Sequence, residues 1–300
     1  MSTGSAARPL KPTLADWVKA AGPPLILVIV LQACYGLSLA HHIGPLPGLR
    51  VGLTLALFLL DAVGRRLIND YEDHRRGLDR PDSVRPDSSL ALRLDMRQVR
   101  LVGMTCFGLA WVLALYLSVT STPWILVLVV ICYAAYFAYA GGPKPLGHHG
   151  LGELIDFLVT GAAVTLLVVL ANAGRLDAVA VIGALGPACL FSALMLHNNA
   201  RDVDKDARAG KTTLPHLIGL GPTKVLYAML VTGFYVVVAL VAVLLNAPWY
   251  LLPLVTLPWA ASTVWGVARA DRLGDTMISW SRLYLVMIAN FALFSIGAWL

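Results

Sequence analysis

The feature that most constrains this chain is a recurring stretch of about twenty residues with little polarity, the length a helix needs to cross a bilayer. Such stretches lie near 22–42, 51–68, 99–119, 123–140, 151–171, 178–197, 224–245, 249–268 and 281–299. In hydrocarbon, backbone N–H and C=O groups must be satisfied inside each segment, so these runs are expected to be helices. The expected fold is an all-α integral membrane bundle of about nine transmembrane helices. Residues 1–20 read as a polar cytoplasmic tail, with Arg8, Lys11, Asp16 and Lys19 and no short apolar core of a signal peptide. Residues 21–300 read as a single transmembrane domain.

Charge placement gives the orientation. Only 13% of the 300 residues are charged, against about 25% in soluble domains. The net charge of +6 does not gather into a basic domain of the kind that binds nucleic acid, so no nucleic-acid partner is expected. The bases fall on alternate loops instead. One side carries Arg75, Arg76, Arg80, Arg85, Arg93 and Arg97, then Lys144, then Arg201, Lys205, Arg208 and Lys211, then Arg269 and Arg272; the other holds Arg50 and Arg175. The positive-inside bias then makes the N-terminus cytoplasmic. Cys34, Cys106, Cys132 and Cys189 all sit in apolar runs without CxxC pairing and read as packing residues.

Two acidic stretches interrupt this pattern, and the expected topology puts both on the cytoplasmic face. "NDYEDHRRGLD" (Asn69–Asp79) ends the second run, and "NNARDVDKD" (Asn198–Asp206) ends the sixth. Asp70 and Asp73 are three apart, and Asp202 and Asp206 are four apart, so each pair is expected to share a helical face. Neighbouring carboxylates repel unless a cation sits between them. Oxygen-only donors suit Mg²⁺, which takes one or two carboxylates and fills its shell with water and substrate phosphate. Asn69, Asn198 and Asn199 add neutral oxygens, while Arg66 and Lys211 are placed to meet phosphate oxygens. The alternative is ordinary loop charge; two clusters with the same Asn-then-Asp order on one face favour function. A Mg²⁺-bound diphosphate at the mouth of an apolar cavity follows, with a polyprenyl diphosphate as substrate and membrane lipid around it.

These residues resemble the aspartate motifs of the UbiA superfamily of membrane prenyltransferases. "NDYEDHRRGLD" is similar to its first motif and "NNARDVDKDARAGKTTL" to its second. "YAGGPKPLGHHGLGEL" (Tyr139–Leu154) resembles a loop of the 1,4-dihydroxy-2-naphthoate prenyltransferases of menaquinone synthesis. His197 and the second motif also resemble the animal enzyme that makes menaquinone-4. The resemblance implies that Asn69, Asp70, Asp73, Asp79, Asn198, Asp202 and Asp206 hold Mg²⁺-diphosphate, with Lys144, Arg201 and Lys211 on phosphate. It also implies a bundle that opens sideways to lipid.

The chain departs from that branch in three places. Gly22 stands where an arginine is expected, although Trp17 and Pro23 are kept. His148 and His149 replace a tyrosine-containing pair; they read as loop residues or as acid–base groups. Asp156 and Thr160 replace apolar and aromatic residues. Glu153, Asp156 and Thr160 form a polar stripe into the fifth run, which makes Glu153 a substrate-binding candidate and Asp156 a catalytic one. Asp156 either hydrogen-bonds a neighbouring loop or faces the cavity, where it would steer a cation or take a proton. Asp61 and Arg65 read as an i, i+4 ion pair. Tyr133, Tyr136 and Tyr139 line the cavity or pack. Three functions remain open at this point: transfer of the prenyl group to an aromatic acceptor, cyclisation of the chain without an acceptor, and carriage of a lipid or ion.

Overall fold

The computed structural model describes residues 12–75, 88–140, 145–208, 210–275 and 280–300, without the side chains of Asp73, Ala140, Trp280 and Ser281. Its helices are α1 (Leu14–Ala20), α2 (Pro23–Ile43), α3 (Gly48–Arg75), α4 (Met96–Thr120), α5 (Trp124–Ala140), α6 (Gly152–Ala173), α7 (Ala178–Arg201), α8 (Val203–Arg208), α9 (Leu214–Ile218), α10 (Leu220–Leu244), α11 (Pro248–Ala268) and α12 (Trp280–Gly297). The described residues contain no strand.

Six of these helices are long and apolar enough to cross a membrane: α2, α4, α6, α7, α10 and α11. Among the other apolar runs, α5 and α12 are shorter helices. The long helix α3 carries Asp61, Arg65 and Arg66 in its second half. Leu101, Met104, Val112 and Val119 of α4 are exposed, as a lipid-facing surface requires.

The chain divides into two compact units, residues 1–29 with 56–112 and residues 30–55 with 113–300. In the first unit, α3 and α4 meet through small residues. A Cβ at Gly64 would stand 3.0 Å from Phe107, and one at Gly103 would stand 2.9 Å from Ile68. Trp17 of α1, with Val63 and Tyr71 of α3, packs against a buried cluster of Ala20, Leu67, Leu94 and Val99. Thr13 and Asp16 form a capping box that starts α1.

In the second unit, α7 runs through the core. Pro187 has no N–H, so the carbonyl of Gly183 one turn back loses its helical donor. The Tyr35 hydroxyl of α2 supplies one at 2.9 Å, and its ring stacks on Phe294 at 3.9 Å. Gly161 of α6 approaches Ala188 of α7 so closely that a Cβ would overlap backbone. At this crossing α6 is not α-helical: Asp156–Ala163 is a π-helix. Where the ladder changes register, side chains add donors to its carbonyls. Gln32 of α2, fully buried, donates to Thr160 O at 2.7 Å and Gly161 O at 3.1 Å. The Thr165 hydroxyl donates to Gly161 O at 2.7 Å.

Candidate functional site

The first acidic stretch extends the last turns of α3, so Asn69, Asp70 and Asp73 share one helix as expected. Asp70 is 3% exposed. Its Oδ2 accepts hydrogen bonds from the Ser89 backbone N–H at 2.7 Å and the Ser89 hydroxyl at 2.9 Å. A buried carboxylate needs such donors, and two of them fix its rotamer. Ser89 belongs to a turn closed by Leu92 N–H to Ser88 O and Leu94 N–H to Ser89 O. Nothing local in the sequence signals this partner nineteen residues away.

Arg66 lies one turn deeper, beside Gly22. A Cβ at Gly22 would stand 3.6 Å from Arg66 Nε, and the glycine has φ +74°. The cation absent at position 22 is thus met by one from α3 beside the same point. Asp61 and Arg65 do form the expected ion pair, at 2.8 Å. The Asp73 side chain, Asp79 and Lys144 lie outside the described residues.

The second stretch spans a break. α7 ends at Arg201, Asp202 caps it, and α8 begins at Val203. Asp202 and Asp206 therefore stand at the end of a long helix and in a short one, and the Asp206 N–H still donates to Asp202 O at 2.8 Å. Arg201 grips its neighbour Asp202 with two bonds, Nε to Oδ1 at 2.9 Å and a terminal nitrogen to Oδ2 at 2.6 Å. Lys211 Nζ is 3.0 Å from Asp206 Oδ2, and its N–H donates to Asp206 O. Each carboxylate thus has a cation next to it. Asn198 Oδ1 is buried without a partner among the described residues.

The histidine loop is tied to this stretch. Thr212 N–H donates to His148 O at 3.2 Å, and Gly150 N–H donates to Thr212 O at 2.9 Å. Gly150 has φ +73°, and a Cβ there would stand 2.5 Å from Leu217, so only glycine suits the turn. His149 Nδ1 pairs with Pro145 O at 2.9 Å, a loop-closing role. Tyr139 packs its ring against Gly147 and Gly152 and points its hydroxyl at Met195 Sδ, 3.8 Å away.

The polar stripe of α6 does not run as a regular α-helical face, because Asp156 starts the π segment. Asp156 Oδ1 accepts from the Thr160 hydroxyl at 2.6 Å. Glu153 is 3% exposed, and its Oε1 accepts from Asn199 Nδ2 at 2.9 Å. This bond uses the Asn199 amide nitrogen and leaves its carbonyl oxygen Oδ1 outside the pair.

The two stretches offer carboxylate oxygens, two of them paired with cations, and a buried amide oxygen. Among the described residues, no three His, Cys, Asp or Glu side chains come together as a metal cluster. That donor chemistry fits a hard cation that borrows most of its shell from phosphate and water.

The UbiA prenyltransferase family model matches residues 29–294. The chain belongs to the UbiA prenyltransferase family. It is 32% identical over 269 residues to the 1,4-dihydroxy-2-naphthoate octaprenyltransferase of Mycobacterium tuberculosis, covering 89% of this chain and 90% of that one. Among solved structures it superposes on a digeranylgeranylglyceryl phosphate synthase with a TM-score of 0.62 at 16% identity, over 95% of this chain and 98% of that one. It also superposes on a UbiA homolog from Archaeoglobus fulgidus bound to GPP and Mg²⁺, with a TM-score of 0.59 at 15% identity, over 93% and 99%. These structural likenesses are likenesses of fold. A UbiA family member with such relatives is a prenyltransferase enzyme, and its six long apolar helices suit the membrane setting of the family.

Proposed function

We propose that this UbiA enzyme moves a polyprenyl group from its diphosphate to an aromatic, naphthoate-like acceptor, with Mg²⁺. The observation that carries the reading is the second acidic stretch, where Asp202 and Asp206 each hold a cation, Arg201 and Lys211, that can be passed to a phosphate. The M. tuberculosis relative, a naphthoate octaprenyltransferase by name, supports the acceptor class. The Archaeoglobus homolog bound to GPP and Mg²⁺ supports the donor and the ion.

In this reading Asp70, Asp73, Asp202 and Asp206 hold the metal, with Asn69, Asn198 and Asp79 beside them. Arg66, Lys144, Arg201 and Lys211 take phosphate oxygens. When bound, Mg²⁺ would neutralise charge on the departing diphosphate. Arg201 and Lys211 turn from their carboxylates to phosphate oxygens when the diphosphate binds, so that they already face the charge that grows as the C–O bond breaks. An electron-rich ring carbon then attacks the allylic cation. If the acceptor is 1,4-dihydroxy-2-naphthoate, the ring loses its carboxylate as carbon dioxide. In this reading the motifs lie on the cytoplasmic face of a bundle of about nine spanning helices with a cytoplasmic N-terminus, which the bias of the loop charges supports.

The test is pyrophosphate release by the full-length protein in lipid with Mg²⁺ and a series of prenyl diphosphates, with and without 1,4-dihydroxy-2-naphthoate. Acceptor-dependent release with a prenylated product is expected. Release without acceptor, with a cyclic hydrocarbon or alcohol, would make the protein a terpene cyclase. No release, with diphosphate binding untouched by Asp70→Ala, would sink the Mg²⁺-diphosphate reading.

A further inference from the structure

Glu153 is a buried carboxylate near the second stretch, and one of its two oxygens has no hydrogen-bond donor among the described residues. Its Oε1 is fixed by Asn199, and its Oε2 is buried with no partner among the described residues. A buried acceptor without a donor is costly to leave unpaired. The group is also held in place. The Ser192 hydroxyl donates to the Glu153 backbone carbonyl at 3.1 Å. Gly152 lets the start of α6 approach Asn199, since a Cβ there would already stand 3.4 Å from Asn199 Nδ2 and from the Tyr139 ring. Both neighbours come from segments that carry the proposed site, the second acidic stretch and the helix leading into the histidine loop.

We propose that Glu153, oriented by Asn199, accepts a hydrogen bond from a ring hydroxyl of the aromatic acceptor. The inference rests on the transferase reading above. A diphosphate carries only acceptors and negative charge and is repelled by a carboxylate. A prenyl tail has no donor. The aromatic acceptor is the substrate that brings one. In 1,4-dihydroxy-2-naphthoate the 1-hydroxyl is adjacent to the carboxylate and bonds to it internally, so the 4-hydroxyl is the free donor. Glu153 therefore binds the 4-hydroxyl, which also keeps the substrate's own carboxylate away from it. Asn199 is a positioning residue that leaves Oε2 as the oxygen turned to the substrate.

The test is a binding cycle in lipid nanodiscs with the full-length protein, Mg²⁺ and geranyl thiodiphosphate, which binds without turning over. The ligands are 1,4-dihydroxy-2-naphthoate, 1-hydroxy-2-naphthoate and 4-hydroxy-2-naphthoate, and the proteins are wild type, Glu153→Gln and Glu153→Met. In wild type, removing the 4-hydroxyl should weaken binding by about 10- to 100-fold, and removing the 1-hydroxyl by less than about 3-fold. In Glu153→Met the 4-hydroxyl should be worth less than about 3-fold, with Glu153→Gln between the two. Geranyl thiodiphosphate affinity should stay unchanged in both variants, which also reports an intact fold. Wild-type discrimination retained in Glu153→Met overturns the proposal, as does wild-type indifference to the 4-hydroxyl. Loss of thiodiphosphate affinity in the variants would put Glu153 on the metal–diphosphate side and overturn it too. Wild-type protein that binds none of the three naphthoates breaks the naphthoate reading itself, and the assignment of Glu153 with it.

Discussion

The two acidic stretches have the same order of residues, and the bonds to Asp70 differ in kind from those to Asp202 and Asp206. Asp70 is buried and held by a neutral amide and a hydroxyl from Ser89. Asp202 and Asp206 are only partly buried and are held by the cations Arg201 and Lys211. Neutral donors position a carboxylate without cancelling its charge. Adjacent cations cancel the charge but can leave when a phosphate offers better geometry. We read the Ser89 bonds as fixing Asp70 in place, and Arg201 and Lys211 as cations that a phosphate would draw from their carboxylates. On this view the stretches divide the work between holding a metal and releasing cations to phosphate.

The largest effect that would sharpen this division is at Asp70. Asp70→Asn keeps the shape and the Ser89 bonds but removes the charge. It should lower kcat/KM for the prenyl diphosphate by about 10³-fold, the scale of removing one preset electrostatic group. Thermal stability should hardly change. Equal turnover in Asp70→Asn would mean that the first stretch contributes position and no charge. Next in size is Ser89→Ala, which keeps the backbone donor and removes the hydroxyl. Loss of a partner that orients a ligand typically lowers metal affinity or activity about 10- to 100-fold. The measurement is the Mg²⁺ concentration for half-maximal pyrophosphate release, which should rise in this variant.

The second stretch should answer differently. Lys211→Met removes a cation that is engaged with Asp206 before substrate binds. It should raise KM for the prenyl diphosphate by about 10-fold, one charge-assisted bond to phosphate, with a smaller change in kcat. If Lys211→Met instead behaves like Asp70→Asn, the two stretches do the same work and the division fails.

Much of this was legible in the sequence because it depends on local spacing. Apolar length predicts the helices, and the i, i+3 spacing of Asp70 and Asp73 predicts one face. The pairing of Asp61 with Arg65 follows from i, i+4 spacing and is found. What escaped depends on distant partners. Ser89 is separated from Asp70 by a polar segment with no periodic signal. Gln32 is a lone amide in an apolar run, and its role appears only once the π-helix of α6 exists. That helix was invisible because hydropathy records which residues are apolar and is blind to an i→i+5 ladder. The break after Arg201 escaped for a related reason. No glycine or proline marks it, and Asp202 ends α7 while keeping a helix-like bond to Asp206. The tie between the histidine loop and Thr212 joins segments about sixty residues apart, which spacing cannot foresee.

That tie gives a smaller test. Gly150→Ala places a Cβ against Leu217 at a φ of +73°. The strained turn should lower stability by about 1–2 kcal/mol and loosen the hold on Thr212 beside Lys211. Thermal unfolding in nanodiscs reports the first effect, and a rise in KM for the prenyl diphosphate reports the second. A rise in KM without lost stability would show that the loop matters to the second stretch alone.

The smallest effect belongs to a third carboxylate, which serves as a control. Asp177 caps the opposite end of α7, accepting from Ala180 N–H at 2.8 Å and pairing with His42 Nε2 at 2.7 Å. Burial alone would push its carboxyl up, but the Ala180 N–H and the His42 bond outweigh it, with the charge of Arg175 nearby, and hold it below the ordinary carboxylate range. A group with a lowered folded value stabilises in full above its unfolded value, near pH 4, and fades as pH falls through the folded one. Asp177 is substantially solvent-exposed, so screening keeps the charged part of this small. Asp177→Ala should therefore cost about 1 kcal/mol at pH 7, the usual size of a lost N-cap, and less at pH 3. Turnover at pH 7 should be unchanged, because this carboxylate has the bonds of a structural cap and none of the chemistry found at the other end of the same helix. Thermal unfolding of wild type and variant at both pH values, beside pyrophosphate release at pH 7, separates a carboxylate that holds the helix from those that serve the reaction.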